Sequence, residues 1–166
     1  MGTADKQIRA GGGRVDPEPP EYWRYTLHLD SLAAAPDEAA EAERMAAVLR
    51  DPDRVMAESA VVTHLDRRAA QLLADERFRD WARAVGAVLD GRAFPVVRLR
   101  EWTLLKSVHQ GEPWSVAELS GASDWCQRTA VALLTSYEAL GLLAEAGRTR
   151  RVRNAAAQRL VRRPAL

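Results

Sequence analysis

A mainly α fold is what this sequence predicts, and three observations predict it. Helix-start signals, a short polar cap followed by a proline or an acid in the first turn, stand before several apolar segments. Those segments repeat their apolar residues three and four apart rather than two. The composition, 47% hydrophobic and 28% charged over 166 residues, lies in the globular range and is enough for one domain, or one small domain with a helical attachment.

Residues 1–21 hold Gly11, Gly12, Gly13, Pro17, Pro19 and Pro20, and are expected to be a disordered arm, because they have too little apolar surface to offset the entropy of ordering. Tyr22, Trp23, Tyr25, Leu27 and Leu29 then partly alternate, which reads as a short strand or an extended segment docked on helices. Pro36, Asp37 and Glu38 open a helix expected to reach about Leu49. Asp51 and Pro52 give the cap and first turn of a second helix, in which Val55, Val62 and Ala69 recur every seven residues and Leu65 and Leu72 fall three later. A third helix from about Asp75 lines up Phe78, Trp81, Val85, Val88 and Leu89 and stops at Asp90 and Gly91. Residues 22–92 are thus a helical support region. Its narrow seam predicts a homodimer with two-fold symmetry, formed mainly by residues 36–90.

From Pro95 the elements shorten. Val97, Trp102, Leu104, Leu105 and Val108 mark an amphipathic helix ending at Gly111, and Ser115 with Glu118 forms a capping box. The helix opened there has room only to about Ser120 before Gly121, Ala122, Ser123 and Asp124 turn the chain. A longer helix over residues 125–140 follows, and two helices joined so tightly must cross steeply. This order resembles the winged helix-turn-helix superfamily of DNA-binding proteins over about residues 97–153. Ala117, Glu118 and Leu119 stand before the turn and Trp125 after it. Cys126, Gln127, Arg128 and Thr129 open the would-be recognition helix, and Gly141, Leu142 and Leu143 resemble the entry into the wing. The resemblance implies a winged helix-turn-helix domain over 93–166, with a small β-hairpin wing over about 142–153 turning near Gly147.

Charge agrees with a polyanionic partner. Residues 1–92 carry 13 basic against 17 acidic side chains, and residues 93–166 carry 11 against 6, leaving −4 and +5. After Leu143 seven arginines face only Glu145. The expected function is therefore a transcriptional regulator that binds double-stranded DNA. Gln127 and Arg128, expected to be exposed, have base-reading chemistry, while Thr129 and Thr135 suit sugar or phosphate contacts. Arg148, Arg150, Arg151 and Arg153 on the wing suit phosphates. Val131 and Ala132, apolar where a recognition helix is usually polar, leave a second expectation open, a protein-interaction adaptor.

Other chemistries find little support. Cys126 alone excludes an intramolecular disulfide, and His28, His64 and His109 are scattered, so no metal or other cofactor is expected. Cys126 sits near a helix start, where the dipole lowers a thiol pKa. No nucleophile elbow, phosphate-binding glycine loop or zinc-protease motif occurs, which argues against an enzyme. No apolar run approaches membrane-spanning length and no export signal is legible, so a cytoplasmic location is expected. Five tryptophans leave room for a small-molecule effector between the two parts.

Overall fold

The computed structural model describes residues 20–89 and 91–162. Among them are nine helices and no strand: α1 (Glu21–Ala33), α2 (Glu38–Val48), α3 (Arg54–Leu72), α4 (Phe78–Val88), α5 (Ala93–Gln110), α6 (Val116–Gly121), α7 (Asp124–Leu133), α8 (Tyr137–Ala146) and α9 (Arg150–Arg162). The mainly α expectation agrees with this, and the hairpin wing over 142–153 does not. The expected arm lies outside the described residues as far as 19; Pro20 instead caps α1 and Glu21 opens it.

α1 replaces the expected strand. Tyr25, Leu29 and Leu32 lie four and three apart, so only a helix turns all three inward; Leu32 is buried and the Tyr25 hydroxyl meets Thr63 Oγ1 on α3 at 2.9 Å. Tyr22, Trp23 and Leu27 point outward on the same helix, which is why the aromatic run looked alternating.

α1 packs on α3 and α2 on α4. Asp37 caps α2 by accepting from the Ala40 N–H at 2.8 Å, as its position before Glu38 requires. α3 is capped by Asp53, not Asp51: Asp53 accepts from the Met56 N–H at 3.0 Å. Asp51 instead pins the α2–α3 turn to α1, bonding to His28 Nε2 at 2.9 Å, to Arg24 and to the Asp53 N–H. Partial burial would raise its carboxyl, but these hydrogen bonds outweigh that and hold it at about 2.

The seam expected to pair two copies is consumed within the chain. Val62, Leu65, Ala69 and Leu72 are buried in the core, and of the set only Val55 is exposed. At the centre of the helical region Glu41, 3% exposed, joins three helices: it accepts from His64 Nε2 at 2.8 Å, Trp81 Nε1 at 2.9 Å and Arg68 Nε at 3.3 Å. Burial pushes the Glu41 carboxyl up, and the bonds from His64 and Trp81 with the charges of His64 and Arg68 outweigh it, so the net shift is downward.

α5 carries the core across to the C-terminal helices. Asp66 on α3 accepts from Trp102 Nε1 at 2.8 Å and Arg98 Nη1 at 2.5 Å. The Arg98 guanidinium in turn lies 3.6 Å from the centroid of the Trp125 ring on α7. Trp102 meets that ring edge-on, with centroids 5.5 Å apart. One apolar cluster accordingly runs from Leu32 to Ala156. α5 ends as its glycine predicts, with Gly111 at φ 69° in the left-handed region.

Candidate nucleic-acid interface

Two helices joined by a short turn, as expected from residues 115–124, are present. Ser115 Oγ accepts from the Glu118 N–H at 3.2 Å and starts α6. Only Ala122 and Ser123 separate α6 from α7, and Ser123 caps α7 by accepting from the Cys126 N–H at 3.1 Å. The Ser123 N–H is held by Glu101 Oε1 on α5 at 2.9 Å, which anchors the turn.

The helix after the turn is shorter than expected. It stops at Leu133, and α8 starts afresh with Ser136 accepting from the Ala139 N–H at 3.2 Å. Had 125–140 continued as one helix, its residues at 100° each would have spread Cys126, Ala130, Leu134, Ala139, Leu140 and Leu143 round more than half of its circumference. All six are fully or almost fully buried, so no single face of one straight helix could serve them, and the chain turns between Leu134 and Ala139. The carbonyls freed at the end of α7 are taken by Arg159. Its Nη1 donates to Val131 O at 2.5 Å and Ala132 O at 3.0 Å, and its Nη2 to Leu134 O at 3.0 Å, with a cation at the negative end of the helix dipole.

In place of the wing, α8 and α9 pack on each other as a helical pair, more extensively than any other two helices among the described residues. Gly147 sits in their joint at φ −57°, not at the tip of a β-turn. A Cβ there would press on Leu143 O and come within 2.8 Å of Val152 Cγ1, so glycine is needed for close approach. Thr149 then starts α9, its Oγ1 accepting from the Val152 N–H at 3.3 Å and lying 3.2 Å from Asp124 Oδ1 at the head of α7.

The sequence-predicted site residues separate into three groups. Gln127 is not exposed: it is fully buried, with Nε2 donating to Leu119 O and Ser120 O at 3.0 Å each and Oε1 accepting from the Arg148 N–H at 2.7 Å. It clamps α6, α7 and the α8–α9 joint together and has no surface to offer a base. Thr129 is half-buried and turns its Oγ1 back onto Trp125 O at 2.8 Å, while Thr135 is exposed in the α7–α8 turn. Arg153 spends Nη1 on Gly147 O at 2.7 Å.

Arg128, Arg148, Arg150 and Arg151 form the exposed group. Arg128 pairs with Asp124 at 3.0 Å on α7. Arg148, Arg150 and Arg151, with Arg162 on the last turn of α9, have no side-chain ion pair among the described residues. Towards the other end of the chain Arg24, Arg54, Arg68, Arg77, Arg79, Arg83 and Arg92 each meet a carboxylate, while Arg44, Arg50 and Arg67 have no ion pair among the described residues. Between α7 and α9 lies a groove of about 330 Å³ that brings together Arg128, Arg151, Arg159 and Arg162 over a floor of Val131, Val152 and Ala155. Val131, expected to face outward, is 7% exposed. Its apolar character comes from packing under α9.

Gln158, Arg159 and Arg162 were missed as site residues because their segment was read as a continuation beyond a wing. Their spacing from Arg151, at seven, eight and eleven positions, marks one helix face. Burial, and secondarily the charge of Glu101, raise the Cys126 thiol to about 12, against the lowering expected near a helix start. No group of three metal-ligating side chains occurs among the described residues, and no helix there is long and apolar enough to cross a membrane. Comparison with protein-family models, with curated proteins and with solved structures returns no match for this chain.

Proposed function

We propose that the chain binds double-stranded DNA and acts as a regulator of transcription, holding the phosphate backbone with the face shared by α7 and α9. One observation carries this reading: Arg148 at the α8–α9 joint and Arg150, Arg151 and Arg162 on α9 are exposed and have no ion pair among the described residues, on a stretch from 147 to 162 that contains no acid. Unpaired guanidiniums gain most from phosphates, because no internal ion pair has to be broken first. Base reading is narrower than the resemblance implies. Gln127 is enclosed, so α7 offers Arg128 as its one outward base-reading side chain, and Arg128 must leave Asp124 to reach guanine. Backbone contacts therefore dominate, and sequence preference is modest.

The test is a fluorescence-anisotropy titration of duplex DNA against salt. Four phosphate contacts predict a slope of log affinity against log salt of about −3.6. Arg151→Ala should lower the slope by about one unit on every sequence, whereas Arg128→Ala should cost about 1–3 kcal/mol on a preferred site alone. A slope near zero, or indifference to Arg150→Ala, Arg151→Ala and Arg162→Ala together, removes the DNA reading. A protein-docking adaptor is the second reading, favoured by Leu133 at 42% and Tyr137 at 67% exposure where α7 gives way to α8.

A further inference from the structure

The seam that the sequence offered for pairing is buried, yet another apolar face is open. Between α5 and α6 runs a groove of about 740 Å³, with Val97 and Leu104 on the α5 wall and Trp114 and Ala117 on the other. Phe94, one turn before Val97, is 48% exposed and Val97 is 49% exposed. Phe94, Val97 and Leu104 lie three and seven positions apart on one face of α5, with Glu101 between the last two, so the apolar face runs along α5 past the end of the groove. An exposed apolar face of this kind marks a contact surface more often than bare surface.

The charges on the groove narrow the choice of partner. Arg100 on α5 and Glu118 on α6 both line it, both are exposed, and neither has an ion-pair partner among the described residues. We propose that this face is where a second copy of the chain packs, in a two-fold arrangement that sets Arg100 of each copy opposite Glu118 of the other. A two-fold contact presents one patch to itself, so it needs both a raised and a recessed apolar part and both signs of charge. The α5 strip, the groove beside it, and the unpaired cation and carboxylate on opposite walls supply all four. A small ligand fits less well: Arg100, Thr103, Pro113, Ala117 and Glu118 are all exposed, whereas a bound small molecule has most of its surface enclosed. A partner of one charge sign is also disfavoured, since Arg100 and Arg148 are balanced by Glu101 and Glu118. Arg148 is shared with the proposed phosphate contacts, and association is measured without DNA so that the two proposals fail separately.

Sedimentation equilibrium of the full chain decides it. A concentration-dependent dimer is expected, and Val97→Asp should convert it to monomer. Arg100→Glu and Glu118→Arg should each weaken association by about tenfold, and the two together should recover most of the loss, because the reversed pair meets again across the two-fold. All three positions are exposed, so the variants should melt within a few degrees of the parent, which circular dichroism checks. A monomer at about 100 μM, where even a ~10 μM dimer is largely assembled, overturns the proposal. So does a dimer indifferent to Val97→Asp and to both charge reversals.

Discussion

Replacing Gln127 by alanine separates a base-reading side chain from a structural clamp. The substitution deletes two donated bonds of 3.0 Å to Leu119 O and Ser120 O and one accepted bond of 2.7 Å from the Arg148 N–H. Each bond contributes about 0.5–1.5 kcal/mol net, so the three together amount to roughly 1.5–4.5 kcal/mol. The loss lies in the upper half of that range, because Gln127 is fully buried and its partners are backbone groups left without a side-chain partner. About 3 kcal/mol in a chain of this size lowers the melting temperature by roughly 6–12 °C. Urea unfolding followed by circular dichroism measures it, with an unchanged slope confirming that stability and not the mode of unfolding has moved. Gln127→Glu should be worse than its size suggests: a carboxylate keeps the bond from Arg148 but faces the two carbonyls with no proton to give. A Gln127→Ala protein within about 0.5 kcal/mol of the parent, with DNA affinity lost on one sequence and kept on others, would refute the clamp and restore the base reader.

Two further outcomes follow from the same geometry. Glu41 has its pKa lowered in the folded chain, so its contribution is present above the unfolded value near 4.5 and is lost as pH falls through the folded value; stability should drop on acidification below about pH 4.5, and this part of the drop should vanish in Glu41→Gln, which should itself be less stable at pH 7. Gly147→Ala should destabilise by about 1–3 kcal/mol through the clash of its Cβ with Leu143 O and Val152, where an alanine at a β-turn tip with ordinary φ would have been nearly neutral; a melting curve superimposing on the parent would return the wing to consideration.

Most helix boundaries were legible because their signals are local. Asp37, Ser115, Gly111 and the Phe78, Trp81, Val85 stripe act within one or two turns, through caps and a single apolar face, and each appears where its residue types place it. Asp51 shows the limit of that reasoning. Asp51 was expected to cap α3 and Asp53 does so instead, because Asp51 is engaged by Arg24 and His28 arriving from α1, which no local pattern announces. The exposure of Gln127 failed in the same way: its position on α7 faces outward only if nothing covers it, and α6 and the α8–α9 joint do.

Two features of the C-terminal end were present in the sequence yet depended on knowing what each face packs against. The buried residues of α7 and α8 spread round more than half of one hypothetical helix, and Val152 and Ala156 recur at helical spacing through what looked like a wing. Alternation and helical period are hard to tell apart over four or five residues, so the segment 142–153 fitted a hairpin as well as the end of one helix and the start of another. The tertiary structure decided between them through Gly147, whose missing side chain lets α8 and α9 approach, and through Arg159, which satisfies the carbonyls that the break in α7 exposes. What the sequence by itself determined was therefore the mainly helical character, the caps at Asp37 and Ser115 and the basic end of the chain, since these depend on neighbours within a few residues. Which arginines remain free was settled only by tertiary packing, because an ion pair depends on distances between helices that local spacing does not set.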